Sequence, residues 1–246
     1  MQIFETIDST QIEAKRQIDV KGFIVEDLII TKEQTAGVST KKNFPWNTKK
    51  GDLNFTAIFN IKELQKRGHV KLNWLPFCSG IAVLENIKLV APDLKCFLKW
   101  PNDLLVLQVA TNEFRKLNGT LAEIYKDHFI IGVGANLLHY PECTEHFKAT
   151  SIKNETGLEL DCIDFGIKVF ATFKKNIEKL QLYGFDPIKT QWKKNAYMLG
   201  TKLLLRDHNV VIFEDITDEG YILAKTNEGN DQIIISSDEV ILKSKK

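Results

Sequence analysis

Residues 99–123 read KWPNDLLVLQVATNEFRKLNGTLAE, and this stretch decides how the chain is expected to fold. Apolar runs on both sides of the Pro-Asn-Asp sequence predict two strands joined by a tight turn. Pro101 fixes its own φ and favours an extended Trp100, which places Asn102 and Asp103 at the end of a strand. Local physics leaves two interpretations open: a solvated polar turn, or two side chains that point into a cleft.

The second half of the stretch supplies a lysine and a glycine three residues apart, Lys116 and Gly119. Glycine lets a ligand approach the backbone, and a lysine beside it can hold an anion. On its own, Lys116 could equally be an ordinary surface residue. A hairpin is predicted around residues 126–128, and its second strand runs into the sequence Gly-Val-Gly-Ala-Asn at 132–136. That run lacks the third glycine and the following helix of a dinucleotide fingerprint, which excludes a Rossmann fold.

Upstream, the chain alternates strand and helix patterns before a long polar segment. Residues 3–7 alternate like a strand, and the side chains of Asp8, Ser9 and Thr10 are expected to cap a helix that follows. That helix is expected to end at about residue 18, and residues 27–34 predict a second strand. Residues 35–52 predict a long loop, and loops of this length in compact domains are usually either functional or disordered.

Downstream, the pattern changes from mixed α and β to β alone. Residues 53–61 predict a strand, residues 74–90 a helix, and residues 162–183 the clearest amphipathic helix. Five short β-rich runs then suggest a small SH3-like barrel: residues 202–205, 210–214, 221–225, 232–235 and 239–242. We therefore predict an α+β fold, a mixed sheet flanked by helices over residues 1–196, followed by a β module over residues 197–246.

Composition limits the function classes. The 33 basic and 32 acidic residues nearly cancel, so no global field favours DNA or an anionic membrane. No apolar run approaches the ~20 residues that span a bilayer, and the N-terminus does not resemble a signal peptide, which predicts a cytoplasmic protein. The four cysteines are scattered without a C-x-x-C pair, and His139 and His146 lack metal-ligand spacing. We expect neither disulfides nor a zinc site.

Several segments occur in a characteristic order: Asp-Ser-Thr at 8–10, Gln-Thr-Ala-Gly at 34–37, Lys-Trp-Pro-Asn-Asp at 99–103, Lys-x-x-Gly-x-Leu-x-Glu at 116–123, and Ile-Gly-x-Gly-x-Asn at 131–136. In this order they resemble the biotin–protein ligase family along nearly the whole chain. The resemblance implies a catalytic domain related to class II aminoacyl-tRNA synthetases. It also implies ATP-dependent formation of biotinyl-5′-AMP, followed by transfer of biotin to a lysine of a biotin carboxyl carrier protein.

The resemblance also assigns roles to residues. Lys116 is expected to be catalytic, bridging biotin's carboxylate and the α-phosphate of ATP, and Asp103 is a candidate ligand for Mg²⁺. The expected biotin-binding residues are Ser9, Thr10, Gln11, Gln34, Gly37, Lys116, Gly119 and Gly134. The expected nucleotide-binding residues are Trp46, Asn102, Asp103, Lys116 and Asn136. With the first strand at Ile3, no N-terminal DNA-binding domain is expected, and a homodimer is possible.

One segment departs from the family. Its loop normally reads Gly-Arg-Gly-Arg, whereas this chain has Gly-Val-Ser-Thr-Lys-Lys at 37–42. We hypothesise that Lys41 or Lys42 replaces the missing charge; lysine lacks the bidentate fork of arginine, which predicts weaker retention of the adenylate. The departure keeps two alternatives open: a lipoate-type acyl ligase or transferase, and a biotin-binding protein with impaired catalysis.

Overall fold

The computed structural model describes residues 1–40, 45–46, 48–66, 68, 70–142 and 147–241, and Lys41 and Lys42 lie outside them. Within these ranges the helices are Thr10–Lys21 (α1), Ile61–Gln65 (α2), Leu75–Val90 (α3), Ile152–Thr156 (α4), Cys162–Tyr183 (α5) and Asp186–Lys193 (α6). The strands of the first sheet are Gln2–Phe4 (β1), Glu26–Thr31 (β2), Leu53–Asn60 (β3), Cys96–Lys99 (β4), Asp103–Gln108 (β5), Glu113–Tyr125 (β6) and His128–Ala135 (β7). Those of the second sheet are Lys202–Leu205 (β8), Val210–Ile216 (β9), Ile222–Lys225 (β10), Asp231–Ile234 (β11) and Val240–Ile241 (β12).

The first sheet is mixed and is covered on both faces. Its strand order is β1-β2-β3-β7-β6-β5-β4, with β1 parallel to β2 and the other neighbours antiparallel. Helix α1 packs on one face through Ala14 and Ile18, and α3 and α5 belong to the main core on the other. All eight residues of β3 are consequently buried, the polar ones included. The predicted α+β class is confirmed.

Helix α1 begins where the sequence predicts but is capped differently. Its first backbone N–H, that of Thr10, donates to the side-chain oxygen of Gln34 at 2.8 Å, while Ser9 makes no capping hydrogen bond. The prediction that residues 8–10 cap the helix through their own side chains is therefore wrong. The helix also runs past residue 18 to Lys21, because the first residue with a positive φ is Gly22, at 71°.

The five C-terminal strands form an antiparallel sheet in the order β11-β10-β9-β8-β12. Each overlaps one of the five predicted runs, and β8 coincides with its run from Lys202 to Leu205. Among the described residues no ladder joins the edge strands β11 and β12. Closure of this sheet into a barrel stays a prediction.

The second sheet shares the main core with the rest of the chain, and the turn between β9 and β10 adds hydrogen bonds to it. The indole N–H groups of Trp74 and Trp100 donate to the carbonyl oxygens of Asp218 and Gly220, each at 2.8 Å. Trp100 is 7% exposed, so its hydrogen bond is shielded from water. The turn next to Asp103 is thereby held against the C-terminal sheet.

We expect Trp100→Phe to lower the free energy of unfolding by about 1–3 kcal/mol, because the buried carbonyl of Gly220 loses its donor. Urea denaturation measures this loss. Lys153→Ala is the control: it removes an exposed ion pair to Glu159 outside this interface, a contact worth at most about 1 kcal/mol. A loss in Trp100→Phe no larger than in the control would contradict this account of the interface.

Three further sequence expectations concern other sites. Cys78, Cys96 and Cys162 are free and buried, and burial raises the pKa of the Cys96 thiol to about 12. The described part of the chain contains no group of three or more His, Cys, Asp or Glu residues that could hold a metal ion. No helix in that same part is long and apolar enough to cross a membrane.

Candidate active site

An open cleft lies over the N-terminus of α1 and the neighbouring strands β3, β6 and β7. Ten of the predicted site residues line it: Ser9, Thr10, Gln11, Gln34, Trp46, Asn102, Asp103, Lys116, Gly119 and Gly134. These residues come from six separate segments of the chain. The structure therefore brings together most of what the sequence predicts as one site.

A β-bulge places the charged residues of the cleft on one face. Strand β6 pairs with β5 through Asp103–Gly119 and Leu104–Asn118, and the register then shifts so that Leu105 pairs with Lys116. The extra residue, Leu117, is fully buried in the core. An odd spacing would place Lys116 and Gly119 on opposite faces of a regular strand, and the bulge reverses this. A Cβ on Gly119 would accordingly lie 3.3 Å from Lys116 Nζ.

Asp103 joins two ammonium groups. Its Oδ1 lies 2.6 Å from Lys116 Nζ and its Oδ2 lies 3.1 Å from Lys99 Nζ, while its side chain is only 11% exposed. Burial alone would raise the pKa of Asp103, but the charges and hydrogen bonds of Lys116 and Lys99 outweigh it and lower the pKa to about 2. Two cations and one anion leave this end of the cleft with an excess positive charge.

The opposite end of the cleft is lined by buried hydroxyl and amide groups. Gln34 accepts from the hydroxyl of Thr10 at 3.1 Å and donates to Asn54 Oδ1 at 3.1 Å. The Thr56 hydroxyl lies 3.0 Å from both Thr10 Oγ1 and the side-chain oxygen of Gln11. These bonds fix the orientation of the lining side chains and form a rigid polar surface.

The hydroxyl of Ser9 has no hydrogen-bond partner among the described residues, although Ser9 is only 1% exposed. Ser9 makes no side-chain capping hydrogen bond to α1, and the first N–H of this helix is satisfied by Gln34. An unpaired buried hydroxyl is costly, and one that faces a cleft marks a position where a polar ligand atom would bind.

Trp46 forms a wall of the cleft. Its indole N–H donates to Asn54 Oδ1 at 3.0 Å, and its ring lies so close to the backbone of Gly134 that any Cβ there would collide with it. Lys116 Nζ lies 6.0 Å from the centre of the same ring. The glycine is therefore required for the aromatic ring to lie flat against β7.

Two of the predicted residues have other surroundings. Gly37 faces the backbone of Trp46, whose N–H donates to the Gly37 carbonyl at 3.1 Å, so this glycine closes the loop. Asn136 is 2% exposed and donates to the carbonyl of Thr150 at 2.9 Å. Neither lines the cleft in this structure. Direct ligand contacts by Gly37 and Asn136 stay predictions.

The predicted Mg²⁺ site does not fit the residues around Asp103. Both carboxylate oxygens are engaged by lysine ammonium groups, which would repel a dication, and Mg²⁺ requires several oxygen ligands. The nearby amide of Asn102 donates to the carbonyl of Thr120 at 2.6 Å. No catalytic step is therefore derived through a metal held by Asp103.

Sequence reasoning missed several residues that line or support the site. Asn54 and Thr56 hold the polar end together, Gly132 leaves room for Gln11, and Lys99 contacts Asp103. A signal for two of them was present: Asn54 and Thr56 are polar residues at alternate positions of an otherwise apolar strand. Both then belong to one face of the strand, a pattern that buried polar networks produce.

Comparison with known sequences identifies the family of the chain. A profile described as the Biotin/lipoate A/B protein ligase family matches residues 3–136, more than half of the chain. The chain belongs to this family. A second profile, described as the biotin protein ligase C terminal domain, matches residues 201–243. The family match includes every cleft-lining residue named above.

Relatives and solved structures of this ligase family resemble the chain over most of its length. A bifunctional ligase/repressor of Bacillus subtilis is 27% identical over 213 residues, which cover 82% of this chain; the chain spans about 62% of that relative. A biotin–[acetyl-CoA-carboxylase] ligase of Paracoccus denitrificans is 25% identical over 239 residues. The aligned region covers 92% of this chain and 94% of that protein. The biotin protein ligase of Aquifex aeolicus, solved with biotin and ATP, superimposes with a TM-score of 0.76 at 26% identity, covering 99% of this chain and 98% of that one.

Proposed function

We propose that this protein is a biotin–protein ligase. It forms biotinyl-5′-AMP from biotin and Mg-ATP, then transfers biotin to a lysine of a biotin carboxyl carrier protein. The observation that carries the proposal is the pairing, in one cleft, of a lysine on the bulged strand with a polar pocket that holds an unpaired hydroxyl. The names of the relatives and the biotin and ATP bound by the Aquifex protein support it.

In the first step, an oxygen of biotin's carboxylate attacks the α-phosphorus of ATP and the bond to the β-phosphate breaks, releasing pyrophosphate. Both reactants are anions, and negative charge builds on the phosphate oxygens. The side chain of Lys116 is 26% exposed and reaches the cleft. Its ammonium group stabilises the negative charge of biotin's carboxylate and of the α-phosphate. Ser9 Oγ, Thr10 and Gln34 would bind the uncharged ureido ring at the far end. Mg²⁺ arrives with the nucleotide as part of the substrate.

In the second step, the carrier's lysine amine attacks the acyl carbon of the mixed anhydride. The bond to AMP oxygen breaks, AMP leaves, and the amine loses a proton as the amide forms. Trp46 forms a wall beside the adenylate and limits the access of water, which would otherwise hydrolyse it. Lys41 and Lys42 are proposed to retain the phosphate from the loop.

The proposal extends to organisation and location. We assign residues 1–196 to catalysis and residues 197–246 to a supporting module, since the β9–β10 turn holds Trp100 beside Asp103. The near balance of charge favours a protein partner over DNA or a membrane surface. We propose a cytoplasmic protein, and a homodimer is compatible with the proposal.

One alternative has support from the family description, which also includes lipoate ligases. The match of residues 201–243 to a biotin protein ligase C-terminal domain favours biotin. Radiolabelled biotin and lipoate, offered separately with Mg-ATP and a carboxylase carrier domain, discriminate between them. We expect label from biotin alone, and none on a carrier whose acceptor lysine is replaced by arginine.

Biotin-dependent exchange of pyrophosphate into ATP separates an enzyme from a binding protein. Exchange without transfer would mean that the carrier domain used in the assay is not a substrate of this protein. Biotin binding with neither exchange nor transfer would contradict the ligase assignment, and incorporation of lipoate alone would support the other branch of the family.

A further inference from the structure

The side chain of Asp103 is a buried anion with two cationic partners of unequal exposure. Lys99 is the more buried: its side chain is 10% exposed against 26% for Lys116. The ammonium of Lys99 also lies 5.9 Å from the ring centre of Phe147. Nothing in the proposed reaction uses Lys99 directly, because it faces Asp103 and is not among the cleft-lining residues.

The backbone on both sides of Lys99 is fixed. The N–H of Leu98 donates to the carbonyl of Asn195 at 2.7 Å, and the indole of Trp100 donates to Gly220 across the interface with the second sheet. Lys116 has its backbone fixed as well, by the N–H of Thr150 donating to its carbonyl at 2.9 Å, but its ammonium lies at the cleft surface. Of the two lysines, Lys116 is therefore the one whose ammonium lies where a ligand in the cleft can reach it.

We propose that Lys99 is a positioning residue that allows Lys116 to leave Asp103 for the substrate anions, an inference that rests on the proposed ligase function. In the structure, Asp103 binds both lysines. As negative charge builds on the phosphate in the transition state, Lys116 turns to the carboxylate and phosphate of the bound substrates, and Asp103 keeps Lys99 as its counter-ion. Without Lys99, the same movement would leave a buried carboxylate unpaired, which is strongly unfavourable.

The charge count makes a specific prediction for variants. Lys99, Asp103 and Lys116 together carry +1; Lys99→Met reduces the sum to zero and leaves Asp103 holding Lys116 alone. In the double variant Lys99→Met/Asp103→Asn, the sum returns to +1 and nothing holds Lys116 back. Lys99 should therefore matter only while residue 103 is a carboxylate.

The test is a double-variant cycle read by biotin-dependent pyrophosphate exchange. Lys99→Met is expected to lower kcat by roughly 10- to 100-fold with a change in the KM for ATP below about threefold, since the lost interaction acts in the transition state. Lys99→Arg, which keeps the charge, should recover most of the rate. In the Asp103→Asn background, adding Lys99→Met should change kcat by less than about twofold.

Each other outcome overturns the inference. Equal losses from Lys99→Met in both backgrounds would mean that Lys99 acts independently of Asp103, as a structural residue would. Abolished exchange in Asp103→Asn would mean that Asp103 acts on the reaction itself. If Lys99→Met does not fold, as judged by urea denaturation, the two Asp103→Asn proteins still give the decisive comparison. Absence of exchange in the unaltered protein would refute the ligase assignment and, with it, this inference.

Discussion

Lys116→Met is expected to slow biotin-dependent pyrophosphate exchange by roughly 100- to 1,000-fold, the usual effect of removing one group that stabilises transition-state charge. The apparent affinity for biotin should fall less than about tenfold, because the polar end of the cleft is untouched. Methionine keeps the length of the side chain and removes only the charge. Steady-state exchange rates over a range of biotin concentrations measure both quantities.

Lys168→Met is the matched control, since Lys168 lies on α5, is 63% exposed and pairs only with Asp164 among the described contacts. Its exchange rate should equal that of the unaltered protein. Equal and modest losses of rate and affinity in Lys116→Met would contradict the role of Lys116, because a residue that acts in the transition state must affect kcat more than binding.

Gly119→Val is expected to weaken biotin binding by at least about 100-fold, equivalent to ~2.7 kcal/mol, while the protein stays folded. A Cβ at this position would lie 3.3 Å from the end of the Lys116 side chain and 3.3 Å from the edge of Trp46. Both neighbours are side chains at the cleft surface, so folding is little affected and the added methyl groups occupy ligand space. Isothermal titration with biotin measures the loss.

Gly119→Ala provides a graded control, with a loss of affinity smaller than that of valine. The urea midpoints of both variants should stay close to that of the unaltered protein, because valine is well suited to a strand. Unchanged biotin affinity in Gly119→Val would show that biotin binds elsewhere. A large loss of stability would show that the glycine serves folding.

Long periodic elements could be predicted well from sequence. Helix α5 was predicted over residues 162–183 and occupies Cys162–Tyr183, since Asp161 caps its first turn and Gly184 ends it. The short helices α2, α4 and α6 were missed, because five to eight residues give too little periodicity. Helix α6 did offer a signal, a proline in its first turn followed by Ile188 and Trp192 on one buried face.

The identities of the site residues could be predicted from the sequence, whereas their geometry could not. Lys116, Gly119 and Asp103 were predicted as site residues, but a regular strand would have separated the first two, and only the bulge at Leu117 places them together. The role of Gln34 as the cap of α1 depends on a contact between residues 24 positions apart, which no local pattern indicates. Lys99 was missed for the same reason: its proposed role depends on its contact with Asp103, which only the tertiary structure shows.

The sequence also suggested Asp103 as a metal ligand, because an acidic residue in a nucleotide site usually suggests Mg²⁺. The two lysine contacts to its carboxylate change that interpretation. The carboxylate is the counter-ion of both lysines, and it binds Lys116 until the substrate anions do. This difference arises from tertiary structure, since Lys99 and Lys116 lie on different strands of the sheet.

A crystal structure with a non-hydrolysable analogue of biotinyl-5′-AMP tests the central claim most directly. The account predicts that Lys116 Nζ lies within roughly 3 Å of an oxygen of the analogue's acyl-phosphate linkage, with the ureido ring against Ser9. Lys116 still paired with Asp103 and out of contact with the bound analogue would contradict it.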